Sequence, residues 1–441
     1  MSTALKFHRS PEEVNVDAER RPSHAPSERP SMVGLPLQST PVGVAPPLGV
    51  VPATMDAWVI RKERHGAPTQ SFVREQMPVP EPGPNEVLVY VMAAGINYNG
   101  IWAGTGKPVS VLDVHKKDFH IAGSDASGIV WKVGSAVTRW KVGDEVVLHC
   151  NQSCGECGAC NGGDPMACEE QRIWGYETPY GSFAQFCLVQ GQQLLRKPAA
   201  LSWETAASYG LTYFTAFRML VDRAQVKPGE NVLIWGASGG LGVFAVQLVK
   251  MMGGRAIAVV SSEEKAQLVR DLGADGVINR RDFPGLAFQP NETPAQTKTR
   301  MDATKKLGKA IMEIIGEKKG PDVVFEHVGR DTFPASVFLC NRFGRIVICG
   351  ATSGFDLTFD VRHLWMRQKT VIGSHFANAE ECQRANQLIH RGVIKPVLTE
   401  TFGYDAIPLA HEKMADNQLK GTVACLVGAP REGLTDFAAG G

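Results

Sequence analysis

Hydrophobic and polar positions follow two different rhythms along the chain. From about Met55 to residue 205 the apolar stretches are short and bounded by turns. "MDAWVI", "EVLVYVMAAGI" and "GDEVVLHC" read as strands, with turn signals such as "EPGPN" between them. Beyond that point, "NVLIWGASGGLGVFAVQLVKMMGG" gives a buried strand, a glycine turn and a helix. "RAIAVVSS" is then a strand, "EEKAQLVRDLG" a helix and "DGVIN" a strand, and "DVVFEHVG" and "GRIVICGA" continue the series. This alternation predicts an α/β architecture, a parallel sheet with helices on both faces beside a mainly β region. Residues 282 to about 308 interrupt it as a polar insertion. After "TVIGSHFAN", the helix-like "AEECQRANQLIHRG" leads to a short β-rich end at "TVACLVG". Residues 1–45, rich in Pro, Ser and charge, predict a flexible tail, because so little apolar surface cannot offset the entropy of ordering.

Composition narrows the function without choosing one. At 441 residues the chain exceeds one ordinary core. With 44% hydrophobic and 21% charged residues, it is globular in character. A net charge of +1 supplies no global field to draw nucleic acid or a membrane surface, so neither is expected as a partner. The longest uncharged stretch, "VLIWGASGGLGVFAVQLV", is long enough to raise the question of a membrane span. Its glycine-rich centre reads as a turn, which divides it into strand and helix. No apolar signal core follows the N-terminal basic residues, and a cytoplasmic location is expected.

The glycine turn, Gly236-Ala-Ser-Gly-Gly-Leu-Gly242, lies between a buried strand and a helix, the setting of a dinucleotide-phosphate cradle. Gly236, Ser238, Gly239, Gly240, Leu241 and Gly242 are its candidate residues. Glycines there let backbone N–H groups approach a pyrophosphate at the positive end of a helix. Where an NAD site has an acid at the end of the second strand, this chain has Ser261 and Ser262, with Lys265 one turn on. Two hydroxyls and an ammonium favour the 2′-phosphate of NADPH, although Glu263 and Glu264 stand close by.

Four of the ten cysteines, Cys154, Cys157, Cys160 and Cys168, are spaced C-x2-C-x2-C-x7-C. Four thiolates close a tetrahedral zinc and leave no position for substrate, so the site is structural. The spacing is similar to the structural zinc lobe of medium-chain zinc alcohol dehydrogenases. A catalytic zinc of that type would need Cys in a "G-x-C-H" stretch and His in "G-H-E". The matching "GINYN" and "GSD" put Asn97 and Ser124 there instead, and the chemistry is expected to be metal-free.

"PPLGVVPATMDAWVIRKERHG", "MAAGINYNGIW", "HIAGSDASGIVWKVG", "QRIWGYETPYGSFAQF", "NVLIWGASGGLG", "VVFEHVGRDTF" and "WMRQKTVIGSHFAN" together resemble the crotonyl-CoA carboxylase/reductases. These belong to the medium-chain dehydrogenase/reductase superfamily, and the likeness runs from about residue 41 to 430. It implies a Rossmann domain at 215–371 and a GroES-like domain from 46–214 and 372–441. It also implies a homotetramer or homodimer, and reduction of a 2-enoyl-CoA by NADPH with attack of the α-carbon on CO2. Crotonyl-CoA would then give ethylmalonyl-CoA. The alternative is a reductase that does not carboxylate. Two departures are the clamp itself, which replaces the family's acidic loop, and Val328 in place of proline.

By the same resemblance, Asn99, Glu177 and His375 hold CO2, and Tyr176 shields the pocket. Thr215 faces the nicotinamide, and Arg362 reaches the CoA phosphates. Purely structural readings stay open beside these. Asn99 could cap a helix, His375 could be a satisfied structural histidine, and Glu177 an ordinary loop charge. Thr215 could lie on a helix surface and Arg362 in a solvated salt bridge.

Overall fold

The apolar run Glu86–Gly95 forms a strand buried along almost its whole length, because it is paired on both edges. It lies antiparallel to Ala126–Val133, Phe186–Gln190 and Thr422–Leu426. The full sheet has seven strands, and the C-terminal pair Leu398–Phe402 and Thr422–Leu426 returns to complete it. The computed structural model describes residues 37–437. Most of the expected tail, residues 1–36, lies outside the described residues. Residues 37–45 are not tail: Ala53 N donates to Leu37 O at 2.8 Å, and Gln185 Nε2 donates to Thr40 O at 3.0 Å. The start of the body uses those carbonyls as hydrogen-bond partners, a requirement that composition does not reveal.

The second sheet has six parallel strands. In spatial order they are Gly276–Asn279, Arg255–Val260, Asn231–Ile234, Val323–Glu326, Arg345–Ile348 and Thr370–Gly373. The first strand in sequence therefore lies between the second and the fourth, and a doubly wound sheet of this order binds its ligand at that switch point. The uncharged 232–249 stretch divides as expected, into the strand Asn231–Ile234 and the helix Gly240–Met251. Among the described residues no helix is long and apolar enough to cross a membrane.

Two differences from the sequence reading concern segments around this sheet. Most of the polar insertion is the start of a 22-residue helix, Pro294–Ile315, opened by a capping box between Thr293 and Gln296. Its Ala303, Leu307, Ile311 and Ile315 recur every four residues and pack against Leu233, Ile257 and Val324 of the sheet. The last parallel strand ends at Gly373, and the next helix, Ala379–His390, packs Cys382, Ala385 and Ile389 into the core shared with Phe244 and Val246. Packing thus carries the nucleotide-binding layer past the 371/372 division to about residue 390.

Candidate active site

At the switch point lies a cleft of about 420 Å3 lined by Gly236, Ser238, Gly239, Gly240 and Leu241 on one side and by Ser261, Lys265 and Arg280 beyond. The turn needs its glycines for identifiable reasons. Gly236 has φ +56°, and a Cβ there would lie 2.9 Å from the His327 ring. Gly242 does not line the cleft. A Cβ on it would meet Ala237 Cα at 2.4 Å, so its role is close packing of the helix on the turn. Gly239 precedes the 12-residue helix Gly240–Met251 with no side chain capping it, which leaves the helix-start N–H groups facing the cleft.

The far end of the cleft is cationic. Ser262 caps the helix Glu263–Asp271, its Oγ accepting from Lys265 N at 3.3 Å, while Ser261 and Lys265 face inward. Burial pushes the Lys265 ammonium pKa down, and the nearby Arg280 and Arg281 charges lower it further. The two glutamates that left NAD open are engaged elsewhere, Glu263 with Arg270 and Glu264 with Lys420. Sequence reasoning missed Arg280, whose only signal was the "NRR" that ends the third parallel strand. It also singled out the wrong face of the helix Thr212–Phe217. Thr215 donates its hydroxyl back to Leu211 O at 2.7 Å, whereas Thr212 lines the cleft with its buried Oγ1 unpartnered.

Ile96, Asn97 and Tyr98 form the opposite wall of the cleft. Asn97 Nδ2 donates to Asp125 Oδ2 at 3.0 Å, and Leu211 N donates to Asp125 Oδ1 at 2.9 Å. Burial pushes the Asp125 pKa up to about 8. The next residue along, Asn99, is 8% exposed, and its Nδ2 approaches Ser124 Oγ at 3.5 Å. Asn99 does not cap its helix, Tyr98–Thr105. Asn97 occupies the N-cap position, without a side-chain cap bond.

The chain neighbours of the remaining CO2 candidates Glu177 and His375, namely Tyr176 and Phe376, both pack against a small apolar patch of Cys150, Ile173 and Leu211. Glu177 Oε2 accepts from Ile173 N at 2.8 Å, so the carboxylate is fixed by its own turn. His375 follows the strand Thr370–Gly373, and its ring contacts that of Phe376 at 4.4 Å between centroids. Desolvation and the Arg218 charge lower its pKa, which favours a neutral imidazole with one N–H donor. Arg362 is exposed and gripped by Asp360 through three contacts of 2.7–3.1 Å, the salt-bridge arrangement.

The four clamp sulfurs all lie within 4.8 Å of one another. Cys154–Cys160, Cys157–Cys160 and Cys154–Cys168 are separated by 3.9, 3.6 and 3.6 Å. A zinc bound at about 2.3 Å would space tetrahedral sulfurs about 3.8 Å apart, so the residues present fit that ion. N–H groups of Glu156 and Cys157 pull the Cys154 thiol down to about 7, toward the thiolate that a metal needs.

Two family patterns match the chain, the alcohol dehydrogenase GroES-like domain over residues 83–199 and the zinc-binding dehydrogenase over 240–391. A crotonyl-CoA carboxylase/reductase from Cereibacter sphaeroides is 54% identical over 400 residues, 90% of this chain and 93% of that protein. The chain belongs to this family. A solved crotonyl-CoA carboxylase/reductase superposes with a TM-score of 0.85 at 55% identity, over 91% of this chain and 94% of that one. A 2-octenoyl-CoA carboxylase reductase, solved with NADP and 2-octenoyl-CoA, superposes at 0.83 with 39% identity, over 88% and 91%. Family members thus include one named for a four-carbon and one for an eight-carbon acyl chain, on a fold common to both.

Proposed function

We propose that the protein catalyses NADPH-dependent reductive carboxylation of a 2-enoyl-CoA, with crotonyl-CoA giving ethylmalonyl-CoA. The observation that carries this reading is a juxtaposition. Asn97 and Tyr98 wall the cofactor cleft, and the next residue, Asn99, holds a buried amide beside Ser124. Bound NADPH supplies a hydride to the β-carbon of the enoyl thioester. The chain's own residues then determine what the α-carbon meets. CO2 is neutral and linear, so hydrogen-bond donors and exclusion of water must hold it. Asn99 Nδ2 and the His375 N–H are the donors, and they also stabilise charge on the new carboxylate. Glu177, an acceptor held by Ile173 N, orients His375 or a water. Tyr176 and Phe376 keep that side dry. NADPH would be held by the helix start at Gly239–Gly240, with Lys265 and Arg280 available to its 2′-phosphate. The CoA role of Arg362 requires it to exchange its bonds to Asp360 for phosphate oxygens.

The edge strand Thr370–Gly373 is exposed, and Phe343, Trp365, Met366 and Val371 around it are all exposed apolar residues. This exposed edge supports self-association, as a homodimer or as one contact of a homotetramer. None of the ten cysteines is in a disulfide, which fits a reducing cytoplasm. The test of function is NADPH oxidation across 2-enoyl-CoA chain lengths, with and without bicarbonate, followed by product mass. A saturated acyl-CoA as sole product at high bicarbonate would refute carboxylation.

A further inference from the structure

The segment that carries His375 is pinned at both ends by one irregular turn. Residues Arg218–Arg223 continue the helix Thr212–Phe217 as a π-helical stretch, a form that often marks functional sites. At the front of the segment, Arg223 Nε donates to Gly373 O at 3.1 Å, and Ser374 N donates to Ile348 O at 2.9 Å. At the back, four residues close a ring. Arg218 Nη1 donates to Glu381 Oε1 at 2.6 Å, and Arg218 Nη2 donates to Asp164 Oδ2. Asp164 Oδ1 accepts from Asn378 Nδ2 at 3.2 Å and from Met166 N at 3.0 Å. Asn378 and Glu381 exchange two further bonds, of 2.8 and 2.9 Å, in the capping box of the helix Ala379–His390. Between these anchors Phe376 adopts φ +42°, a conformation that a bulky residue keeps only where its surroundings impose it.

Arg218 is 6% exposed and Glu381 4%, so this ion pair sits where neither charge has water to fall back on. Asp164 is half-exposed and lies between the clamp ligands Cys160 and Cys168, so the clamp holds the ring's outer anchor. The same helix that places Thr212 in the cofactor cleft thus runs directly into the turn that fixes His375. We infer that Arg218 and Asp164 are positioning residues for carboxylation: by holding Asn378 and Glu381 they set where the His375 ring sits over the site of CO2 capture. The inference rests on the reading that His375 donates to CO2.

The experiment uses full-length Asp164→Asn, Arg218→Lys, His375→Ala and the Arg218→Lys/His375→Ala double variant. For each, the ratio of saturated to carboxylated product, the KM for bicarbonate and the KM for NADPH are measured with crotonyl-CoA. In the two positioning variants the saturated fraction and the bicarbonate KM should each rise at least about threefold, while the NADPH KM stays within about twofold. In the His375→Ala background, Arg218→Lys should add less than about twofold, because its effect runs through the missing ring. An unchanged ratio and bicarbonate KM in folded Arg218→Lys, or effects that multiply in the double variant, would overturn the inference. Should Arg218→Lys fail to fold, Asp164→Asn decides on the same criteria. If His375→Ala itself moves neither quantity, the His375 reading falls, and the positioning role falls with it.

Discussion

The sharpest single perturbation of the CO2 pocket is Gly100→Ala, one residue beyond Asn99. An added Cβ would lie 2.2 Å from His411 Nε2 and 2.7 Å from its Cδ2. That is about 1.2 Å short of the 3.4 Å at which ordinary contact begins. His411 cannot retreat. Its Nδ1 bonds Ile407 O at 2.8 Å, Phe72 stacks on it at 4.8 Å, and Phe183 meets it edge-on at 5.2 Å. The helix Tyr98–Thr105 must therefore give, at a cost of about 1–3 kcal/mol for an overpacked core. Asn99 moves with it, and its 3.5 Å approach to Ser124 is already at the limit of a hydrogen bond. A 99:1 preference for carboxylation needs a barrier difference of about 2.7 kcal/mol. Losing one donor worth about 0.5–1.5 kcal/mol would lower that preference to between roughly 40:1 and 8:1. The assay is product mass after single-turnover NADPH oxidation. The saturated thioester should rise several-fold with hydride transfer retained, and Gly100→Ala/His411→Ala should restore part of the ratio. A lowered melting temperature with an unchanged product ratio would refute the link between the Gly100 helix and CO2 placement.

Other predictions follow from the same geometry. Lys265→Ala and Arg280→Ala should each raise the NADPH KM about tenfold or more while leaving that for NADH within about twofold, because each removes a charge-assisted contact to the 2′-phosphate. Equal losses for both cofactors would contradict this. Cys157→Ser should lower bound zinc from one per chain toward none by elemental analysis and lower the melting temperature, since a structural zinc contributes folding energy. His149 is buried, and burial pushes its pKa from 6.5 down to about 4. It is neutral in the fold but protonated in the unfolded chain between those values. Its contribution is complete above about pH 6.5 and is lost as pH falls toward 4. His149→Gln should therefore shrink the loss of stability between pH 7.5 and pH 5, measured by urea unfolding, by about 2 kcal/mol. An unchanged pH difference would rule this out.

What could be read in the sequence was what is encoded locally. The 236–242 turn was legible because backbone approach and helix packing demand glycine at fixed offsets, and the clamp because zinc demands thiolates at short spacing. Asn97 and Ser124 could be recognised as non-ligands from residue type alone. The helix Pro294–Ile315 was hidden by its polarity, although Thr293 and Gln296 already spelled its capping box. Arg280, Thr212 and the Arg218 ring were not legible, because each depends on which element the chain brings alongside. Asp164 and Arg218, 54 positions apart, meet only after the fold is complete. Residues 37–45 read as tail because what they add is small apolar contacts, through Val42 and Ala45, and backbone carbonyls, which every sequence possesses.

The most direct test supplies 13C-labelled bicarbonate with NADPH and crotonyl-CoA and follows the thioester products by mass. One labelled carboxyl per NADPH oxidised is expected, with little saturated butyryl-CoA. Unlabelled, saturated product alone at saturating bicarbonate would rule out carboxylation.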